Sequence, residues 1–191
     1  MALDNNNGVV GVVQEPKLHI VRVFREKPEC DWCYHSDLAA AINECINAKT
    51  NIINMSLGSS AYSSTIDQAT KDAYDDGILL IAAAGNGGST SYLYPASYDR
   101  VVSVAAVDIN KQVASFSQQN NQVELAAPGV NVKSTTPNNK YENKSGTSMA
   151  SKSKVIDCLH SLSLICFHQS LSLYCSTSRY RSSGISVVTF P

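Results

Sequence analysis

The sequence predicts an α/β fold built as a three-layer parallel sheet, and two observations carry that prediction. Four β-rich runs recur along the chain: Leu18 to Phe24, Ile52 to Met55, Ile78 to Ala84 and Val101 to Val107. Several are apolar on consecutive residues, as expected of strands covered on both faces rather than half-solvated. Helical periodicity then fills the intervals between the first three runs. Strand, helix, strand, helix, strand calls for crossover connections, and such sheets carry their chemistry in loops at the carboxyl ends of the strands.

The first helix has Leu38, Ala41, Ile42, Cys45 and Ile46 at the i, i+3, i+4, i+7, i+8 spacing, with Ser36 as its expected N-cap. The second sets Ile66, Ala69, Thr70, Ala73 and Tyr74 on one face; Ser63 or Ser64 caps its start and Gly77 its end. Beyond the strands stand four short segments: Asn54-Met55-Ser56-Leu57-Gly58, Ala82 to Gly87, Ala126-Ala127-Pro128-Gly129, and Ser145-Gly146-Thr147-Ser148-Met149-Ala150.

Composition bounds the rest. With 191 residues, 43% hydrophobic and 16% charged, the chain suits one domain with a sizeable core and is not disordered. Fifteen basic residues face sixteen acidic ones, with no basic stripe for nucleic acid or an anionic membrane surface. No apolar run approaches the ~20 residues of a membrane span. Met1 to Val13 lacks the basic start and cleavage pattern of a signal peptide. The charge is uneven: residues 1–150 hold 11 Lys/Arg and 15 Asp/Glu, whereas only Asp157 opposes four basic residues after Ser151. That stretch is serine-rich and repeats Ser-Leu-Ser-Leu at 161–164 and 170–173, so a boundary is expected near Ser151.

A serine among small residues, where a helix begins, lets a substrate carbonyl approach both its hydroxyl and nearby N–H groups. An isolated Gly-Thr-Ser is more often a turn and cap, and Ala150 stands where the α/β-hydrolase elbow wants glycine. Gly85-Asn86-Gly87-Gly88 follows an apolar strand, but Thr90 breaks the dinucleotide fingerprint and no Walker-type Gly-Lys-Thr occurs. Asn86 by itself reads as a turn residue or as an amide donor aimed into a cleft.

In order and together, these segments resemble the subtilisin-like serine proteases. The resemblance rests on Leu3-Asp4-Asn5-Asn6 with Gly8 to Val12, Ile53 to Gly58, Ala82 to Gly87, Val113 to Ser117, Ala126 to Val130, and Gly146-Thr147-Ser148-Met149-Ala150-Ser151. It implies a subtilisin-like sheet, incomplete here, and a serine endopeptidase acting on polypeptides, monomeric once completed. Ser148 resembles the nucleophile and Asn86 the oxyanion donor, partnered by the Ser148 backbone N–H. Ser56, Leu57 and Gly58 resemble the edge on which a substrate lies as an added strand, and Ala83, Ala84 and Gly85 the opposite wall of the primary pocket. Leu93 is expected to narrow that pocket.

The departures are as informative. The family runs Asp, His, Ser along the chain, and both earlier segments precede the Asn-rich loop matched by Asp4-Asn5-Asn6. On that reading the chain lacks the triad Asp and His, Met1 is an internal methionine, and the chain as written is inactive. His19, His35, His160 and His168 read as ordinary residues. After Ser151 the family continues into a buried helix, whereas Lys152-Ser153-Lys154 opens the serine-rich tail. The expected division is therefore 1–151, a partial peptidase domain, and 152–191, a tail from translated intron or a shifted frame; Ser-Lys-Ser can encode the splice-donor string GTAAGT. Its Ile185 to Phe190 stretch is β-prone and uncharged, and is expected to add to exposed edges and poor solubility.

Cys30-Asp31-Trp32-Cys33 has no second ligand pair for zinc and no thioredoxin context; with Cys45 nearby, a loop-stapling disulfide is the favoured reading. That fits an oxidising compartment or secretion, as the resemblance also suggests. No metal or other cofactor is expected in catalysis. The Asn-rich loop resembles a structural calcium loop whose other ligands the chain does not supply. Two rivals to the enzyme are a non-catalytic, peptide-binding pseudoprotease and a doubly wound nucleotide-binding module.

Overall fold

Neighbouring residues of a strand point to opposite faces of its sheet, and β2 (Ile52–Met55), buried throughout, feeds two separate cores. Ile53 and Met55 pack with Leu38 and Ile42 of α1 (His35–Asn47) and with Ile66, Ala69 and Ala73 of α2 (Ser64–Asp75). Ile52 joins Ile81, Val104, Ala106, Ala127 and Ala150 on the other face. The computed structural model describes residues 8–9, 17–24, 35–153 and 185–189, and within them the sheet has helices on both sides.

The remaining strands are β1 (Leu18–Arg22), β3 (Leu79–Ala83), β4 (Val101–Val107), β5 (Val123–Pro128), β6 (Val132–Thr136), β7 (Lys140–Lys144) and β8 (Ile185–Thr189). Six form one sheet in the order β1-β8-β2-β3-β4-β5, parallel at every pairing. β6 and β7 make a separate antiparallel hairpin. A helix, described over residues 147–153, follows the hairpin and buries Ala150 in the second core.

The structure corrects three sequence expectations. α1 begins at His35, so Ser36 lies inside its first turn rather than capping it. Tyr74 is 53% exposed; eight residues beyond Ile66 is about 80° off that residue's direction, and a tyrosine there keeps its hydroxyl in water. The third concerns Ile185 to Phe190. Instead of adding an exposed edge, β8 runs inside the sheet, with Val187 in register with Ile20 of β1 and Asn54 of β2. The chain leaves β1 and re-enters the sheet at β2 two strand positions away, so a parallel slot opens between them for a β-prone segment.

α2 ends as its sequence indicates, at Gly77 with φ +80°. Its start is held twice. Ser63 Oγ accepts from the Ile66 N–H at 3.4 Å, and the buried Tyr98 hydroxyl accepts from the Ser63 N–H at 3.1 Å while donating to the Ser63 carbonyl at 2.9 Å. Burial pushes the Tyr98 phenol up to about 12. Tyr98→Phe leaves the Ser63 N–H without its partner and the Ser63 carbonyl with the Asp67 N–H alone, and is expected to destabilise the fold by about 1–3 kcal/mol. Because the folded phenol titrates above its ordinary value, its contribution is complete below about pH 10 and is lost as pH rises toward 12. Denaturant midpoints at pH 7 and pH 11 check this: the gap between parent and variant should shrink at the higher pH.

Candidate active site

The residues singled out from sequence come from three places in the fold: the end of β2, the turn after β3 and the 147–153 helix. The Gly85 N–H donates to Thr147 Oγ1 at 3.1 Å and Ser148 Oγ to the Ser56 carbonyl at 3.4 Å, which brings the three together, while the Gly146 N–H donates to the Gly129 carbonyl after β5 at 2.8 Å. Glycine is required where backbones meet so closely. A Cβ on Gly129 would stand 2.6 Å from Ala106 Cβ, and one on Gly85, where φ is +113°, 2.2 Å from Leu93 Cδ1.

Asn86 is exposed, but its carboxamide is not free to turn. Oδ1 accepts from the Thr147 N–H at 2.9 Å and from Thr147 Oγ1 at 3.0 Å, which fixes the amide's orientation and leaves Nδ2 with no described acceptor. Nδ2 therefore points away from Thr147, beside the open Cα of Gly146. An amide held by its oxygen, with its N–H groups free, is poised to donate to an incoming oxygen. Thr147 stands in the Gly-Thr-Ser motif with no role evident from sequence; the signal that it orients Asn86 lies only in the fold, because the two are 61 residues apart.

The two expected walls differ in what their backbones can do. Leu57 and Gly58 make no backbone hydrogen bond to any described residue, and Gly58 is exposed, so this edge is open to an added strand. Its continuation is braced by reciprocal Ser59–Tyr94 bonds of 2.9 and 2.8 Å. Ala83, Ala84 and Gly85 already pair within the fold: the Ala84 N–H donates to the Val104 carbonyl, and Gly85 accepts from the Gln118 N–H. They form a closed surface rather than an edge. Leu93 lies against Gly85 and also comes within 3.8 Å of a Cβ built on Gly58, so it narrows the space between the walls.

Beneath the serine lies a hydroxyl network. Asn54 Nδ2 donates to Ser56 Oγ at 3.0 Å, Ser56 and Ser151 hydroxyls are 3.0 Å apart, and the Ser148 carbonyl accepts from both hydroxyls at 3.3 Å. It ties the helix to the end of β2 without any charged group. No described histidine or carboxylate is hydrogen-bonded to Ser148. His19 stands on β1, its Nε2 3.3 Å from Glu44 Oε1, and His35 opens α1. His160 and His168 lie outside the described residues, as do Cys30, Cys33 and the Asp4-Asn5-Asn6 loop. Cys45 is buried in the first core. Among the described residues no cluster of His, Cys, Asp or Glu could hold a metal ion, and no helix is long and apolar enough to cross a membrane.

The profile of the subtilase family matches residues 1–151. A thermostable alkaline protease of Halalkalibacterium halodurans is 46% identical over 78% of this chain and 40% of its own length. Subtilisin DY of Bacillus licheniformis is 42% identical over 78% of this chain and 55% of its own. The chain thus spans about half the length of these curated relatives. Among solved structures, a psychrophilic subtilisin-like protease from Pseudoalteromonas sp. AS-11 superposes with a TM-score of 0.64 at 50% identity, over 70% of this chain and 31% of that one.

Proposed function

The chain belongs to the subtilase family, and from that premise we propose that it carries the nucleophile and oxyanion site of a serine endopeptidase that hydrolyses peptide bonds in polypeptides. The observation that supports this most is the Asn86 carboxamide, locked through Oδ1 onto Thr147 with its N–H groups unengaged, close to Ser148. A peptide laid along Ser56-Leu57-Gly58 as an added strand brings a carbonyl to Ser148. Ser148 Oγ attacks it, and the developing oxyanion sits between Asn86 Nδ2 and the Ser148 backbone N–H. Ala83, Ala84 and Gly85 wall the pocket for the side chain before the scissile bond, and Leu93 limits its size. Calcium, on this reading, would be structural, at the Asn-rich loop of the intact family domain, and takes no part in the chemistry.

A second reading, a peptide-binding member without turnover, draws on the lack of a described histidine or carboxylate at Ser148. One experiment separates them. Residues 1–151 are completed with the N- and C-terminal segments of the Halalkalibacterium protease and assayed on casein. The proposed reading expects turnover that Ser148→Ala removes, down to the residual ~10³–10⁴ over water that binding and the oxyanion site supply in subtilisin itself, the source of that figure. Peptide binding without hydrolysis in the unmutated protein would favour the second reading, and hydrolysis unaffected by Ser148→Ala would reject the assignment of the nucleophile.

A further inference from the structure

Among the described residues of the helix, 147–153, one side chain is able to take up a proton, Lys152, and it lies one turn beyond Ser148. Residues four apart on a helix share a face, with Cβ atoms about 5–6 Å apart. Helical side chains also lean toward the N-terminus, so the stem of the later residue covers the turn of the earlier one. Lys152 is half-buried, and no described carboxylate pairs with it. Among the described residues, those that touch this helix, in 54–58, 84–87 and 129–131 and in the apolar cluster around Ala150, include no titratable side chain. An ammonium left there has neither a counter-ion nor full hydration.

Resting on the reading of Ser148 as nucleophile, we propose that Lys152 is a proton acceptor for Ser148 in this chain, forming a serine–lysine pair along one helix. Lysine near a helical serine nucleophile is an arrangement other acyl-transfer enzymes use. The neutral Lys152 amine takes the Ser148 Oγ proton as the oxygen–carbon bond forms at the substrate carbonyl. The ammonium returns that proton to the leaving amine nitrogen as the carbon–nitrogen bond breaks. Water then attacks the ester, giving a proton to Lys152 that passes back to Ser148 Oγ as the acid departs. Burial alone holds the Lys152 ammonium below the ordinary lysine range, which raises the share of the neutral base near neutral pH.

The test uses the 191-residue chain and a fluorophosphonate probe, whose phosphorus–fluorine bond breaks as Ser148 Oγ bonds to phosphorus and fluoride leaves. Peptide mapping should find the label on Ser148 and none in Ser148→Ala. Lys152→Arg keeps the charge but cannot act as a base, and Lys152→Met keeps only the stem; both are expected to label at least ~10²-fold more slowly. Should either variant fold poorly, the unmodified chain still decides: its labelling rate should rise with pH and level off below the ordinary lysine value of 10.5. Equal rates in parent and Lys152→Arg, a rate that keeps climbing past 10.5, or an unlabelled Ser148 would each overturn the pair. Label on another residue that survives Ser148→Ala would instead reject the nucleophile assignment underneath it.

Discussion

Val187→Pro is expected to lower the thermal midpoint of the 191-residue chain by roughly 6–12 °C, or to prevent folding altogether. Val187 is the middle residue of β8, flanked by Ile20 on one side and Asn54 on the other. Proline has no N–H to give either ladder, and its ring crowds the neighbouring strand, so it is confined to edges and bulges. Losing a backbone bond between two paired strands with that strain costs about 3 kcal/mol, a large part of a margin of ~5–15, and for a domain of this size each kcal/mol moves the midpoint by about 2–4 °C. The effect reaches the site: β2 pairs with β8 over Ile52–Met55, and Asn54 and Ser56 hold the hydroxyl network under Ser148. Val187→Thr keeps the N–H and a β-branched side chain and should melt within a few degrees of the parent. A proline variant that melts with the parent would show that β8 contributes nothing to the sheet.

How far the fold is legible in the sequence depends on where the signal lies. β2 and β4 are legible to the residue because each is buried on both faces and reads as a mostly apolar run, interrupted by Asn54 in one and Ser103 in the other. β5 is not, since its outer residues are exposed and Leu125 is 38% accessible at the margin of the sheet; Ala126-Ala127-Pro128-Gly129 therefore reads as a loop. β6 and β7 are mostly polar and exposed, with no period-2 apolar pattern to betray them. β8 has the composition of a strand, but composition does not say which slot a strand fills. That depends on β1 and β2 being two positions apart, a fact of topology. The site divides the same way. Ser148 and Asn86 stand in local motifs, whereas the role of Thr147 and the network through Ser56 and Ser151 exist only across separations of 61 to 95 residues.

In the completed enzyme, Asn86→Leu is expected to cut kcat by ~10²–10³ with little change in KM. This magnitude is the one known for removal of an oxyanion donor in subtilisin, a member of the same family. The split between the two constants follows from the geometry. Asn86 makes no part of the Ser56-Leu57-Gly58 edge, so the peptide binds as well without it. Its Nδ2 donates usefully only once charge gathers on the carbonyl oxygen, and an interaction confined to the transition state appears in kcat. Leucine preserves the volume of the side chain but supplies neither the N–H nor the Oδ1 that accepts from Thr147. Thr147→Val probes the second function: it removes the hydroxyl donor at 3.0 Å, and with it the acceptor of the Gly85 N–H, while keeping the backbone N–H at 2.9 Å. It should loosen the amide without deleting it, with a loss smaller than that of Asn86→Leu and again in kcat. Steady-state kinetics on a chromogenic peptide measures both. A loss from Asn86→Leu that falls on KM alone would make Asn86 a turn residue, and the lock on Thr147 a device for shaping the loop.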